Sequence, residues 1–288
     1  MERKLNDDSA YLQSFELLLE NSMEHQSITN FIHTTLPDIL ARIGAGESTL
    51  NVMGVGSGSG EIDLEILKLL REKHTNAKVE NEVVEPSNDM LNKYRALLSE
   101  TPALKDVTFT WNKMTATEFE DEWKKRNSNK KMHFINLIQM LYYVKDPEAT
   151  VSFYRSLLHK NGKILVILLT RESAWGRLTD AYKDQLAQEG ATLHVTTTEV
   201  KSYLDSKKIP YQSYKFKSLL DITECFTPED KKGEEILDLL TEVIDFSKTA
   251  PPELRDGVVE FLKNPINNLE VNGKIMFDCS MEALLIDA

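Results

Sequence analysis

Leu50-Asn51-Val52-Met53-Gly54-Val55-Gly56-Ser57-Gly58-Ser59-Gly60 is the stretch that decides the fold. A short apolar run ends in alternating glycines, and Glu61-Ile62-Asp63-Leu64-Glu65-Ile66-Leu67 follows as helix-compatible sequence. This predicts a buried strand, a tight turn and a helix start. Glycine is needed where a backbone takes positive φ or lies against a ligand, because a Cβ obstructs both. A second apolar run, Val83-Val84, ends in Glu85-Pro86. A carboxylate at the tip of a second strand is placed to accept hydrogen bonds from a ribose. The two features together predict a nucleoside-containing cofactor across the carboxyl ends of the strands.

The glycine spacing separates the cofactor classes. A dinucleotide fingerprint sets its third glycine three residues after the second, and a P-loop requires Gly-Lys-Ser/Thr. Neither pattern describes residues 54–60. The alternation resembles the first motif of class I S-adenosylmethionine-dependent methyltransferases. Strand candidates at 50–54, 81–85, 107–111, 133–138 and 163–169 alternate with helix-like segments, as in βαβ units with a parallel sheet. Ahead of them, Tyr11, Phe15, Leu18 and Leu19 share one helical face, and Ile28, Phe31, Ile32 and Leu36 begin another. Helical segments are expected near 174–186, 196–206 and 230–264. Tyr211–Phe216 and one long terminal strand, Gly273–Ile286, then complete a seven-stranded sheet.

The 288 residues are 41% hydrophobic, enough for a substantial core, and carry a net charge of −12. That charge, without a basic stripe, excludes sustained contact with nucleic-acid phosphates and favours a cationic small molecule. No apolar run reaches membrane-spanning length and no signal peptide is read. Cys225 and Cys279 form no disulfide framework, so a cytoplasmic monomer is expected. The six histidines lie without paired ligand spacing, and no metal site is expected.

Several longer runs are more specific. They are Glu24-His25-Gln26, Asn81-Glu82-Val83-Val84-Glu85-Pro86-Ser87, Ile138-Gln139-Met140-Leu141-Tyr142-Tyr143-Val144-Lys145-Asp146 and Thr249-Ala250-Pro251-Pro252-Glu253-Leu254-Arg255, with Gly273-Lys274 and Phe277. Through them the chain resembles the histamine N-methyltransferase family over nearly its whole length. The resemblance implies an α/β fold: a class I methyltransferase, Rossmann-like seven-stranded sheet with an inserted, mainly helical substrate-binding cap. Residues 44–219 and 266–288 would form the cofactor core, and 1–43 and 220–265 the cap.

S-adenosyl-L-methionine is the cofactor so implied, leaving as S-adenosyl-L-homocysteine. Gly56, Ser57, Gly58 and Gly60 would hold its methionine part, Glu85 its ribose, and Ile138 would contact it at the end of strand four. At the adenine, Met90 and Ala116 stand where the family has a glutamine and a serine, leaving Thr115 as the nearby hydroxyl. Glu24 and Gln139 would bind the imidazole-bearing amine within aromatic walls from Tyr11, Phe15, Tyr142, Tyr143 and Trp175. Cys279 stands where the family has an asparagine. Leu18, Thr179 and Leu239 replace further aromatic positions. No residue is assigned as a catalytic base: methyl transfer from a sulfonium is an in-line displacement governed mainly by orientation. The implied reaction places the methyl group on an imidazole ring nitrogen of histamine or a closely related small amine. A bulkier amine, an oxygen nucleophile, or a non-catalytic amine binder are the alternatives.

Overall fold

The computed structural model describes residues 8–126, 128–186 and 195–288, with side chains from residue 12 onward. The first half runs α1 (Asp8–Asn21), α2 (Glu24–Arg42), β1 (Thr49–Val55), α3 (Glu61–Lys73), β2 (Lys78–Val84), α4 (Asn88–Ser99), β3 (Thr108–Asn112), α5 (Ala116–Arg126), β4 (Met132–Ile138) and α6 (Pro147–Ser156). Then come β5 (Leu158–Leu169), α7 (Ala174–Ala181), α8 (Thr197–Ser206), β6 (Tyr211–Phe216) and β7 (Leu219–Asp221). The chain finishes with α9 (Lys231–Thr241), α10 (Phe246–Thr249), α11 (Pro252–Lys263), β8 (Asn268–Val271), β9 (Lys274–Asp278) and β10 (Met281–Asp287).

Seven strands form one sheet in the order β3-β2-β1-β4-β5-β10-β6. β1 pairs in parallel with β2 on one side and β4 on the other, Val55 opposite Val84 and Gly54 opposite Asn136. Its central strands are apolar almost without interruption because helices cover both faces; Met132 to Leu137 of β4 are all buried. The strand order reverses at β1 and β4, so a crevice opens beyond their carboxyl ends. This is the α/β seven-stranded architecture expected from the glycine turn.

The terminal segment departs from expectation. Gly273–Ile286 is not one strand: it breaks at Cys279-Ser280, and its two halves join different sheets. Asp278 causes the break locally, its Oδ1 accepting from the backbone N (3.0 Å) and hydroxyl of Ser280. β10 enters the large sheet next to β6. β9 instead centres a three-stranded antiparallel sheet, β7-β9-β8, that pattern reading missed. Residues 230–264 are three helices: Glu242 and Asp245 take left-handed backbone conformations between α9 and α10, and Pro251-Pro252 separates α10 from α11.

Contacts divide the described residues into two compact units, within Met1–Ser27, Leu169–Thr198 and Lys215–Glu282, and within Ile28–Leu168, Glu199–Tyr214 and Ala283–Ala288. The division differs from the boundaries suggested by sequence. α2 from Ile28 onward belongs with the sheet unit, where Ile28, Phe31, Ile32 and Leu36 are buried and the Phe31 ring lies 5.7 Å from that of Tyr214. Residues 169–186 and 195–198 belong with the second unit, where Thr170 N donates to Ser280 O (3.1 Å) and Arg177 to Asn267 Oδ1 (2.7 Å). In that unit the face read on α1 is only partly covered: Phe15 and Leu18 are half-buried, and Leu19 is exposed.

Gly60 is the N-cap of α3 at φ +87°, and a Cβ there would fall inside the Tyr94 ring. Gly46 has the same φ with nothing near its would-be Cβ. Gly60→Ala, which adds overpacking to backbone strain, is expected to cost about 3 kcal/mol in urea unfolding, against about 1 kcal/mol for Gly46→Ala. Equal losses would remove Tyr94 from the explanation.

Candidate functional site

The turn after β1 closes on itself and on β2. Gly56 N donates to Val84 O (2.8 Å), and Gly60 N to Ser57 O (3.1 Å). Glu85 completes the arrangement: its Oε2 accepts from Gly58 N and its Oε1 from Ser87 N, both at 2.9 Å. Its own N–H reaches Asn112 O on β3 (3.1 Å). Burial pushes the Glu85 carboxyl up, and the Ser87 and Gly58 N–H groups pull it back. Each Glu85 oxygen retains a lone pair for a further donor, as ribose hydroxyls require.

Gly58 supplies a second test of fit. It sits at φ +53° with no atom within 4 Å of where a Cβ would point, so open space lies over the turn. At Gly56, by contrast, a Cβ would press to 2.6 Å of Met140 Cβ. A bare backbone with an open face, backed by a buried acid, suits the methionine and ribose parts of S-adenosylmethionine. Ile138 lies half-buried at the end of β4. Met90 is buried on α4, its N–H capped by Ser87 Oγ at 3.4 Å.

Thr115 has a structural task. Its N–H and hydroxyl both donate to Glu118 Oε2 (2.8 and 2.9 Å), and its Oγ accepts from Glu118 N (3.2 Å). This is a capping box opening α5, whose Thr-x-x-Glu signature was present in the sequence. The hydroxyl of Thr115 thus caps α5. The Ala116 carbonyl accepts from Tyr154 OH at 3.3 Å.

Gln139 follows β4 at φ +51°, a left-handed conformation uncommon outside glycine. Its N–H donates to Ile167 O (2.9 Å), and its Oε1 accepts from Tyr142 OH (2.7 Å). Tyr142 and Tyr143 belong to the 3-10 turn that follows, their rings edge to face at 6.1 Å; Tyr143 is exposed. These residues and every cofactor candidate lie in the sheet unit.

The remaining acceptor candidates fall in the second unit. Glu24 is the first residue of α2, its N–H on Ser22 Oγ (3.2 Å). Its charge helps hold the Cys279 thiol in its protonated form, although burial is the larger cause. Cys279 is fully buried and its thiol donates to Ser218 Oγ (3.4 Å), so it behaves as a packed core residue. Trp175 and Phe15 are half-buried, and Thr179 Oγ is bonded to Trp175 O (2.6 Å). The side chain of Tyr11 lies outside the described residues.

Two features escaped sequence reasoning. Asp63, third residue of α3, is buried beneath the glycine turn, although it stands on the apolar face with Ile66, Leu67 and Leu70. An acid within an apolar stripe was the available signal. Its Oδ1 accepts from Asn136 Nδ2 (3.0 Å) and its Oδ2 from Tyr94 OH (3.3 Å). Burial pushes the Asp63 carboxyl up to about 6. The second feature is at the amino ends of the strands. There Glu47, His133 and His159 bring ligand atoms within 4.8 Å of one another, a grouping that histidine spacing did not reveal. His133 Nδ1 accepts from Asn51 N (2.9 Å), so its proton lies on Nε2, leaving neutral His133 no lone pair for a metal.

Comparison with known proteins settles the family. A methyltransferase-domain profile matches residues 28–205. The histamine N-methyltransferase of Danio rerio is 56% identical over 98% of this chain and 97% of its own length. That of Bos taurus is 36% identical over 100% and 99%. The chain belongs to the histamine N-methyltransferase family. Among solved structures, the YcgJ protein of Bacillus subtilis shares the fold, with a TM-score of 0.52 at 13% identity over 87% of this chain and 97% of that one. Within the histamine N-methyltransferase family the chain is an S-adenosylmethionine-dependent methyltransferase, and the glycine turn with Glu85 is its donor-side candidate.

Because Asp63 titrates higher folded than unfolded, its contribution to stability is full below pH 3.8 and is lost as pH rises through about 6. Measured against Asp63→Asn by urea unfolding, the native protein should lose on the order of 2 kcal/mol between pH 4 and pH 7.5. A flat difference would contradict the burial of this charge.

Proposed function

We propose that this chain transfers a methyl group from S-adenosylmethionine to an imidazole ring nitrogen of histamine or a closely related small amine. The observation carrying the reading is the Glu85-clamped glycine turn, in a chain 56% identical to a protein named histamine N-methyltransferase. The bound cofactor supplies an electrophilic methyl carbon whose leaving group is a neutral thioether.

The chain's residues then have to bind and orient. The Gly56–Gly60 backbone supports the methionine part, Glu85 accepts from the ribose, and Ile138 and Met90 provide apolar contact. The neutral amide of Gln139, steadied by Tyr142, fixes a ring without titrating. Glu24 accepts a hydrogen bond from the substrate or balances its ammonium. Phe15, Tyr142, Tyr143 and Trp175 present aromatic faces, which attract cations. Cys279 limits the pocket as an apolar wall. We assign the substrate-binding cap to 1–43 and 220–265, although Ile28–Ile43 packs with the sheet unit. An imidazole with an ordinary pKa near 6.5 is largely neutral at pH 7, so its ring nitrogen needs no strong base to expose a lone pair. No helix among the described residues is long and apolar enough to cross a membrane. We place the protein in the cytoplasm as a monomer, in keeping with its two free thiols.

Two substitutions separate the halves of this site. Gly58→Ala should cost about 1 kcal/mol of stability, a backbone penalty, yet weaken S-adenosylhomocysteine at least tenfold in calorimetric titration. Unchanged affinity would place the cofactor elsewhere. Glu24→Gln should lower kcat/KM for histamine by roughly ten- to a hundredfold, the range for a charged hydrogen bond, and leave S-adenosylhomocysteine affinity unaltered. Efficient methylation of larger amines with none of histamine would favour the bulkier-acceptor alternative.

A further inference from the structure

Gly54 is the one glycine of the turn without a positive φ, so its backbone does not explain it. A Cβ there would collide with Asp63 Oδ2 and come to 2.5 Å of Ser57 Oγ. The Asp63 carboxylate therefore fills the space that a side chain at position 54 would take. At the other end of the turn, the Tyr94 ring fills the corresponding space at Gly60. Tyr94 in turn donates its hydroxyl to Asp63. Asn136, the β4 neighbour of Gly54, holds the second Asp63 oxygen. The Ser57 hydroxyl is buried with no hydrogen-bond partner among the other described residues and faces the same carboxylate.

We propose that Asp63 is the positioning residue of the cofactor turn, holding Ser57 and the flanking glycines in their binding shape from beneath through Tyr94 and Asn136. It lies under the turn, not on its open side, so it acts through the backbone above it. The proposal deepens the cofactor reading of this turn and rests on it. An ionised Asp63 can accept from Asn136, Tyr94 and Ser57 together. A protonated one must donate its own proton to a hydroxyl of the set, Ser57 Oγ or Tyr94 Oη, so a hydrogen bond at the floor of the turn reverses its direction. The titratable groups facing Asp63 are Tyr94 on α4 and Glu85 beyond β2, with Glu61 in its own helix bearing on Tyr94; Asn136 on β4 and Ser57 are neutral. Keeping an acid buried here, where its charge opposes stability, is consistent with a task at the turn.

The test is titration of S-adenosylhomocysteine into the full chain between pH 5 and 8, native and Asp63→Asn, in buffers of differing ionisation enthalpy. The native protein is expected to bind up to about tenfold more weakly at pH 5 than at pH 7.5, with a midpoint near 6 and proton release on binding at that pH. Asp63→Asn is expected to melt as a folded protein, bind at least tenfold more weakly at pH 7.5, and lose both the midpoint and the proton release. Glu85 also titrates above its ordinary range, so a midpoint that persists in Asp63→Asn assigns the effect to Glu85 and overturns the proposal. Native-like affinity in Asp63→Asn overturns it as well while leaving the cofactor site intact. Absence of saturable binding by the native protein at every pH overturns both the proposal and the cofactor reading.

Discussion

The double acceptance by Glu85 is the constraint on which the carboxyl end of the sheet depends. One oxygen holds Gly58 N and the other Ser87 N, so a single carboxylate ties the turn leaving β1 to the segment that starts α4. Hydrogen bonds to a charged group contribute about 1.5–3 kcal/mol each, whereas burying an unpaired carboxylate costs several. The upward displacement of its proton affinity says that burial wins here, with the two N–H groups recovering part of the loss. Each oxygen of such a carboxylate keeps acceptor capacity beyond its one N–H, which is the basis of the proposed ribose role. The same residue thus shapes the turn and advertises what the turn would hold.

The glycines of this turn have different causes, and the differences locate the ligand side. Gly54 and Gly60 are small because Asp63 and Tyr94 occupy the space beneath them, and Gly56 because Met140 does. Only Gly58 opens onto nothing. Three glycines therefore serve internal packing and one serves the outside, although all four look alike in the sequence. Tyr94 extends the support further: its ring meets Trp111 edge-on at 5.2 Å, and Arg95 lies 4.7 Å above Trp111. The floor of the turn is thus continuous with the packing of α4 on the outer strands.

The large sheet was legible because its strands are buried on both faces and read as apolar runs between glycine and helix signals. The smaller sheet was not. β7 has three residues and β8 four, three of them exposed, too few for a period of two to stand out. The break at Cys279 was hidden for another reason: a single Asp278 hydrogen-bonding two residues onward interrupts a sequence that carries apolar strand-like runs on either side. Of the candidate site, glycines and acid could be read directly because backbone requirements restrict residue type severely. The roles of Thr115 and Asp63 could not, since each depends on which partner the fold delivers. A Thr-x-x-Glu capping signature and an acid in an apolar stripe were both visible, but neither says alone what surrounds it.

Gln139 shows how backbone and chemistry meet at the switch between β1 and β4. A non-glycine residue in the left-handed region costs of order 1 kcal/mol or more and persists only when its surroundings over-determine it. Here the N–H is held by Ile167 O and the side-chain oxygen by Tyr142, so both ends of the residue are fixed independently. The amide presented at this position cannot change charge. If orientation by such an amide is the main demand of methyl transfer, pH sensitivity has to originate in groups that titrate near neutrality. In the proposed reaction two such groups are the imidazole of the acceptor and, beneath the turn, Asp63. The acceptor ring loses its nucleophilic lone pair in the same acidic range in which Asp63 gains its proton. Acid would therefore weaken both halves of the site together, through two groups on different molecules that share no bond.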